Sequence, residues 1–395
     1  YYLKKIFKIF RPKQISAHMI KISRDAELEF DDDISKSYLE KISESLLDRY
    51  SGNPVRFVYD SEMSKETLDF IISKMSIDVE NDSIVPGGKY HNRSDYMNFP
   101  SLGRKNLIYD DLIPLKISGL NLNKGIFKKI AEKDFLLHTP YQKFLYIINF
   151  LIEASIDPKV KKIFITIYRL SKLSKVASAL INAARNGKKV FVLIELQARF
   201  DESANIKYAK EMQSHGIKIS YGSQNLKVHS KICVVERKQE NGIDKYGFIS
   251  TGNLNESTAK VYTDMTLFTS NNQILDEVKS VFNFFDANYK KYNFKNLFIS
   301  PINTATRLKK LIKNEIKNAK KGEPAWIKIK INNITNRNMI KALYDASRNG
   351  VKIELIVRGV CCLIPGIKKM SESIKGISIV DRFLEHTRFM IFCDG

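Results

Sequence analysis

The sequence holds 395 residues, 44% hydrophobic and 27% charged, which is enough apolar material for two or three cores and excludes a disordered chain. Its 65 Lys and Arg against 43 Asp and Glu leave a net charge of +22, a field that draws polyanions: nucleic acid, an anionic membrane surface or phosphate-rich substrates. The longest strongly apolar stretch, residues 144 to 154, is broken by Asn149 and falls short of the roughly 20 apolar residues a membrane helix needs, so the chain reads as soluble or peripheral.

In chain order, residues 1 to 126 form a first texture: an acidic turn at 23 to 33, a helical stretch near 35 to 50, the strand-like "VRFVYD" and a second helix near 64 to 75. This pattern predicts a separate α+β head domain with no catalytic constellation, its His18 and His91 being surface or loop residues. The opening "YYLKKIFKIF" has neither an initiator Met nor a signal-peptide pattern, so an internal piece of a longer polypeptide is expected.

Beyond residue 126 the chain repeats itself. "ALINAARNGKKVFVLIELQAR" from 179 and "ALYDASRNGVKIELIVRGVCC" from 342 align without a gap at an offset of 163 residues, and the same offset pairs "KIFITIYRL" from 162 with "AWIKIKINN" from 325. Each copy reads as strand, helix, Asn-Gly turn, strand. In the first, Val176, Leu180, Ala183 and Ala184 recur at helical spacing, and Gly187 stands where a helix ends near Asn186. A β-helix-β order with continuous apolar strands predicts parallel pairing and an α/β fold, with domains over 127 to 297 and 298 to 395. Only nine residues follow His386, so the second copy is expected to be incomplete.

The four cysteines, Cys233, Cys361, Cys362 and Cys393, have no metal-ligand spacing and lie in or beside apolar runs, which predicts buried free thiols in a reducing cytosol.

In "NLKVHSKICVVER", residues 225 to 237, His229 and Lys231 sit two apart at the head of an apolar run. Alternate strand residues share a face, so both side chains should point the same way just before the strand enters a core. Allowing six deleted residues in the second copy, His229-Ser-Lys231 falls on His386-Thr-Arg388. A histidine and a cation at one place in two copies of one unit point to a composite site across a pseudo-dyad. Imidazole is a competent nucleophile toward phosphorus near neutral pH, fixed cations neutralise the phosphoryl oxygens, and a second histidine can carry the leaving group's proton. Lys231 and Arg388 are assigned to phosphate on this charge argument alone.

Glycine loops of the Walker type are missing from the sequence, and no dense cluster of Asp, Glu, His or Cys reads as a metal cage. Nucleotide phosphates would be held by Arg and Lys with Mg²⁺ bound largely through the phosphates themselves. Arg169 and Arg199 end apolar strands of the first copy and Arg358 ends the matching strand of the second, where ligands of open α/β sheets gather.

His-x-Lys, four apolar residues, the acid Glu236 and a Gly-Asn loop at 251 to 253 resemble the phospholipase D superfamily, with Glu for Asp, Arg388 for the second Lys and "TGN" for the serine-bearing loop. The set "TIYRLS", "ELQARFDE", "KVHSKI", "STGNLNESTAKVYTD", "LIVRGVCCLIPG" and "ISIVDRFLEH" resembles the type 1 polyphosphate kinases in order and spacing, over nearly the whole chain. The resemblance implies two tandem phospholipase D-like α/β domains, the second truncated, preceded by the α+β head domain. It also implies reversible transfer of the ATP terminal phosphate to polyphosphate through phosphohistidine at His229, with His386 as acid/base in contact with ATP. Tyr262 would pack on adenine, Arg358 would bind nucleotide phosphates, and Arg169 and Arg199 would hold phosphate with Mg²⁺. ATP or ADP and polyphosphate are the implied partners, without nucleic acid. A homo-oligomer is expected at full length, in the cytoplasm and open to peripheral association with the inner membrane face. Two other readings stay open: a phospholipase D-like phosphodiesterase, and a polyanion-binding module without chemistry.

Overall fold

The computed structural model describes residues 2–24, 54–78, 80, 83–100, 102–120, 125–195, 202–222, 226–287 and 289–395. These fall into two compact units, Tyr1–Asp110 and Asp111–Gly395.

In the first unit a short helix α1 (Tyr2–Ile6) precedes a three-stranded sheet. Strand β2 (Pro54–Asp60) lies between β1 (Ile20–Arg24), antiparallel, and β3 (Ser83–Gly87), parallel. The crossover from β2 to β3 contains α2 (Lys65–Lys74), capped by the Ser64 hydroxyl accepting from Thr67 N–H. The strand and helix expected at "VRFVYD" and 64 to 75 are thus present, whereas the helical stretch near 35 to 50 lies outside the described residues, as does most of the acidic turn. His18 is held rather than free: its Nδ1 is 2.8 Å from Asp60 Oδ2, and Asp60 is buried. The Glu62 backbone N–H first, and His18 second, hold the Asp60 carboxyl below its usual value.

The second unit contains both repeats. Helix α3 (Ile126–Glu132) precedes β4 (Phe135–Thr139), and α4 (Leu145–Ile156) leads into β5 (Val160–Ile167), α5 (Lys175–Arg185), β6 (Lys189–Ile194), α6 (Glu202–Ser214) and β7 (Lys218–Ser220). Then come β8 (Lys231–Gln239), β9 (Gly242–Ser250), β10 (Tyr262–Thr269) and α7 (Asn272–Asp286). Strands β5, β6 and β7 are parallel, β8 returns antiparallel to β5, and β9, β10 and β4 extend the same sheet. Phe150, Phe248 and Phe268 meet at 5.5 to 5.7 Å between centroids on one face, and α7 packs Leu275, Val278, Val281 and Phe282 on Ile232 and Val234.

The second repeat follows the same plan: α8 (Thr304–Lys320), β11 (Trp326–Ile331), α9 (Arg337–Arg348), β12 (Lys352–Val357), β13 (Ile374–Ile377), β14 (Leu384–Glu385) and β15 (Phe389–Phe392). Strands β11, β12 and β13 are parallel and β15 returns antiparallel to β11, as β8 does to β5. The helix ends match bond for bond. In α5, Gly187 (φ +77°) donates to Ala184 O and Lys188 N–H to Ala183 O; in α9, Gly350 (φ +89°) donates to Ser347 O and Val351 N–H to Ala346 O. All four pairs stand 163 residues apart.

The cysteine expectation needs correcting. Cys233 is buried and burial pushes its thiol pKa up, but Cys361 and Cys362 are exposed in the loop past the end of β12, and Cys393 is half-buried. An apolar run that ends at a sheet edge does not carry its next residues into the core.

Candidate active site

Strand β14 joins the repeats. It lies parallel to β10 of the first repeat, pairing Leu384 with Tyr262 and Glu385 with Thr263. The Thr263 hydroxyl accepts from His386 N–H at 3.2 Å, Thr387 Oγ1 donates to Thr263 O at 2.9 Å, and Glu385 is ion-paired with Lys330. These bonds lock the second histidine onto the first repeat's sheet.

His386 is 8% exposed. Its Nδ1 donates to Asp264 Oδ1 at 2.8 Å, and Arg388 Nη2 approaches its Nε2 at 3.4 Å. Asp264 is itself positioned by Thr251 Oγ1, which donates to Oδ1 at 2.7 Å. The glycine of the TGN loop makes this fit: a Cβ on Gly252 would lie 2.7 Å from Asp264 Cβ, Cγ and Oδ2. The Asp264–His386 pair spans the repeats, so the sequence repeat alone could not expose it; the only signal was a carboxylate two residues past Tyr262 in "VYTD".

His229 ends the segment leading into β8. The buried Glu195 accepts from Val228 N–H at 2.7 Å, and Thr166 Oγ1 donates to Ser230 O at 2.8 Å and accepts from Ile232 N–H at 3.0 Å. Sequence reasoning passed over both Glu195 and Thr166. Lys231, 3% exposed, donates to His229 O. Crowding of the ring, and then the charges of Lys231, Arg388, Lys227 and His386, push the His229 pKa down to about 3. Burial, with Arg388 as the largest neighbouring cation, pushes Lys231 down to about 7. His386 and Arg388 of the second repeat thereby act on His229 of the first, which places the duplicated pair in one site.

Arg358, at the end of β12, stands beside Arg388; with its amide oriented toward them, Asn332 accepts from both, at 3.1 Å from Arg358. Burial, and Arg358, hold Arg388 below its ordinary value, although Asp264 opposes this. Tyr262 lies 5.3 Å from the His386 ring. Arg169 is half-buried just past β5, with its guanidinium 5.4 Å from the Tyr168 ring centroid. Arg199 lies outside the described residues. Among the described residues no carboxylate forms an ion pair with Lys227, Lys231, Arg358 or Arg388, and the one carboxylate at the centre, Asp264, is engaged by His386. Such a surplus of cations suits phosphate.

Glu236 does not share this site. It is 2% exposed at the far end of β8, ion-paired with Lys279 and, at 3.5 Å, with Lys162, so it ties α7 to the sheet. Phe248 is fully buried in the aromatic cluster.

Three family models match: the polyphosphate kinase middle domain over residues 1–99, C-terminal domain 1 over 125–291 and C-terminal domain 2 over 297–395. The chain belongs to the polyphosphate kinase family. It is 43% identical over 392 residues to a polyphosphate kinase of Vibrio parahaemolyticus, covering 99% of this chain and 56% of that one. With the polyphosphate kinase of Escherichia coli K12 it shares 41% over 399 residues, covering 100% and 58%. The crystal structure of the Porphyromonas gingivalis polyphosphate kinase superposes with a TM-score of 0.80 at 34% identity, over 99% of this chain and 57% of that one. The chain thus spans 56 to 58% of the length of these relatives. Within the polyphosphate kinase family its fold is two tandem α/β repeats of phospholipase D-like plan after an α+β head, as the motifs implied. Among the described residues no helix is long and apolar enough to cross a membrane.

Proposed function

We propose that this chain provides the catalytic centre of a reversible ATP:polyphosphate phosphotransferase. The observation that carries the reading is the convergence of His229, His386 and their cations across the repeat boundary.

With its pKa near 3, His229 is neutral at pH 7 and holds a ring lone pair for attack on the γ-phosphorus of ATP. The P–N bond forms as the bond to the β,γ-bridging oxygen breaks, and ADP leaves. Lys231, Arg388 and Arg358 neutralise the oxygens around phosphorus. His386, fixed through Nδ1 by Asp264, exchanges a proton at Nε2 with the leaving or entering phosphate. In the second step a terminal oxygen of polyphosphate attacks the same phosphorus, the P–N bond breaks and His229 is regenerated. Tyr262 is assigned to adenine and Arg169 and Arg199 to phosphate alongside Mg²⁺.

Arginines cannot ligate a metal, and among the described residues no three His, Cys, Asp or Glu side chains stand close enough to hold one. The residues therefore fit an ion carried by phosphate oxygens, and Mg²⁺ so bound supplies further charge neutralisation. The +22 charge serves retention of a linear polyanion. Cytoplasmic location, peripheral attachment to an anionic membrane and homo-oligomerisation belong to the same proposal.

The test is incubation of the full polypeptide with γ-labelled ATP and Mg²⁺. An acid-labile phosphate mapping to His229, lost in His229→Ala, supports the reading. Labelling that persists in His229→Ala, or diester hydrolysis without nucleotide, overturns it.

A further inference from the structure

Tyr168 immediately follows β5, and its ring is 9% exposed. Its carbonyl accepts from Asn205 Nδ2 at 2.8 Å, and Asn205 is fully buried, so the backbone at this point is fixed. Around the ring stand three cations: Lys231 Nζ at 4.8 Å, Arg169 Cζ at 5.4 Å and Lys227 Nζ at 5.5 Å from the centroid. The His229 imidazole meets the same ring at 4.9 Å and 73°, an edge-to-face contact. Significant cation–π contacts occur about once per 70–80 residues, so three on one ring, with a histidine beside them, are not the scatter of ordinary packing.

Gathering cations into a dry site normally needs an anion, and a carboxylate here would cancel the charge that phosphate has to meet. An aromatic face attracts cations through its quadrupole and carries no net charge. It can hold the ammonium and guanidinium groups together in the empty site while leaving their full charge for the ligand. Without it they repel one another, and a phosphate must regather them at a cost in binding free energy.

We infer that Tyr168 is a positioning residue of the phosphate site: its ring gathers Lys227, Lys231 and Arg169 and fixes the His229 imidazole edge-on, and its hydroxyl plays no part. The catalytic half of this inference rests on the phosphotransfer proposal; the binding half does not.

The experiment replaces Tyr168→Phe in the full polypeptide, with the phenylalanine carrying zero, one, two or three ring fluorines, which drain the π face while keeping its shape. Tripolyphosphate binding is measured by calorimetry, without ATP. The unfluorinated Phe should bind within about twofold of the parent, and the dissociation constant should rise stepwise to about tenfold at three fluorines. Tyr168→Leu, checked by its melting temperature, should match or exceed the weakest of the series. A flat fluorine series, or a Phe variant as weak as Leu, overturns the inference. The rate of His229 labelling by ATP should follow the same order. An absence of labelling in the parent alongside a stepwise binding series would refute phosphotransfer and leave the positioning role standing; normal labelling with a flat series would do the reverse.

Discussion

In the first repeat His229 stands among Lys227, Lys231 and the Tyr168 ring, while in the second His386 is gripped by the Asp264 carboxylate, which reaches it from the first repeat. The backbones around them agree down to the helix-capping hydrogen bonds 163 residues apart. Duplication supplied two equivalent imidazoles, and their neighbours made them unequal. Cations and burial keep the first neutral and nucleophilic; a carboxylate fixes the tautomer of the second for proton exchange. Two like groups pushed apart by their surroundings are a common way to divide the labour of one reaction.

The comparison breaks most severely at Asp264. Asp264→Asn removes the acceptor that orients His386, and phosphohistidine formation should fall by about 10²–10³-fold, with little further loss on adding His386→Ala. If the two losses multiply instead, the carboxylate and the ring do not act as a unit.

Gly252→Ala tests the same contact by crowding. The added methyl would meet Asp264 at 2.7 Å, and the displaced carboxylate should slow labelling by about tenfold while His229 itself is untouched. An unchanged rate would mean that the loop yields freely.

Lys231 sharpens the other side of the comparison. Its folded pKa, about 7, rises when phosphate binds, so binding takes up a proton between those two values. Affinity for tripolyphosphate should therefore weaken as pH rises above 7, by at most about tenfold per unit, and be level below it. Lys231→Arg should flatten that slope, and an unaltered slope in the variant would assign the proton elsewhere.

Glu236 should matter least to chemistry. Glu236→Gln breaks its pairs with Lys279 and Lys162, both partly exposed, at a cost of about 1–3 kcal/mol in stability, and His229 labelling in the folded fraction should equal the parent's. A specific loss of labelling would return Glu236 to the site.

The sequence exposed what repetition and local pattern carry. The Asn-Gly turns, the apolar strands and the basic pair at 229/231 and 386/388 were legible because each is set by residues near in sequence, and because each occurs twice. Asp264 was not, since its partner lies 122 residues away and the contact exists only once β14 pairs with β10. Tyr168 was hidden inside the quoted motif "TIYRLS", where the neighbouring Arg169 drew attention as the charged residue. Cys361 and Cys362 misled because an apolar sequence context does not report where a strand leaves its sheet.

The most direct test is a crystal structure of the full polypeptide with a non-hydrolysable ATP analogue and Mg²⁺. A single γ-phosphorus flanked by the ring nitrogens of His229 and His386 is the predicted result. Rings directed at different phosphates, or a γ-phosphate remote from His229, would contradict the shared-centre mechanism.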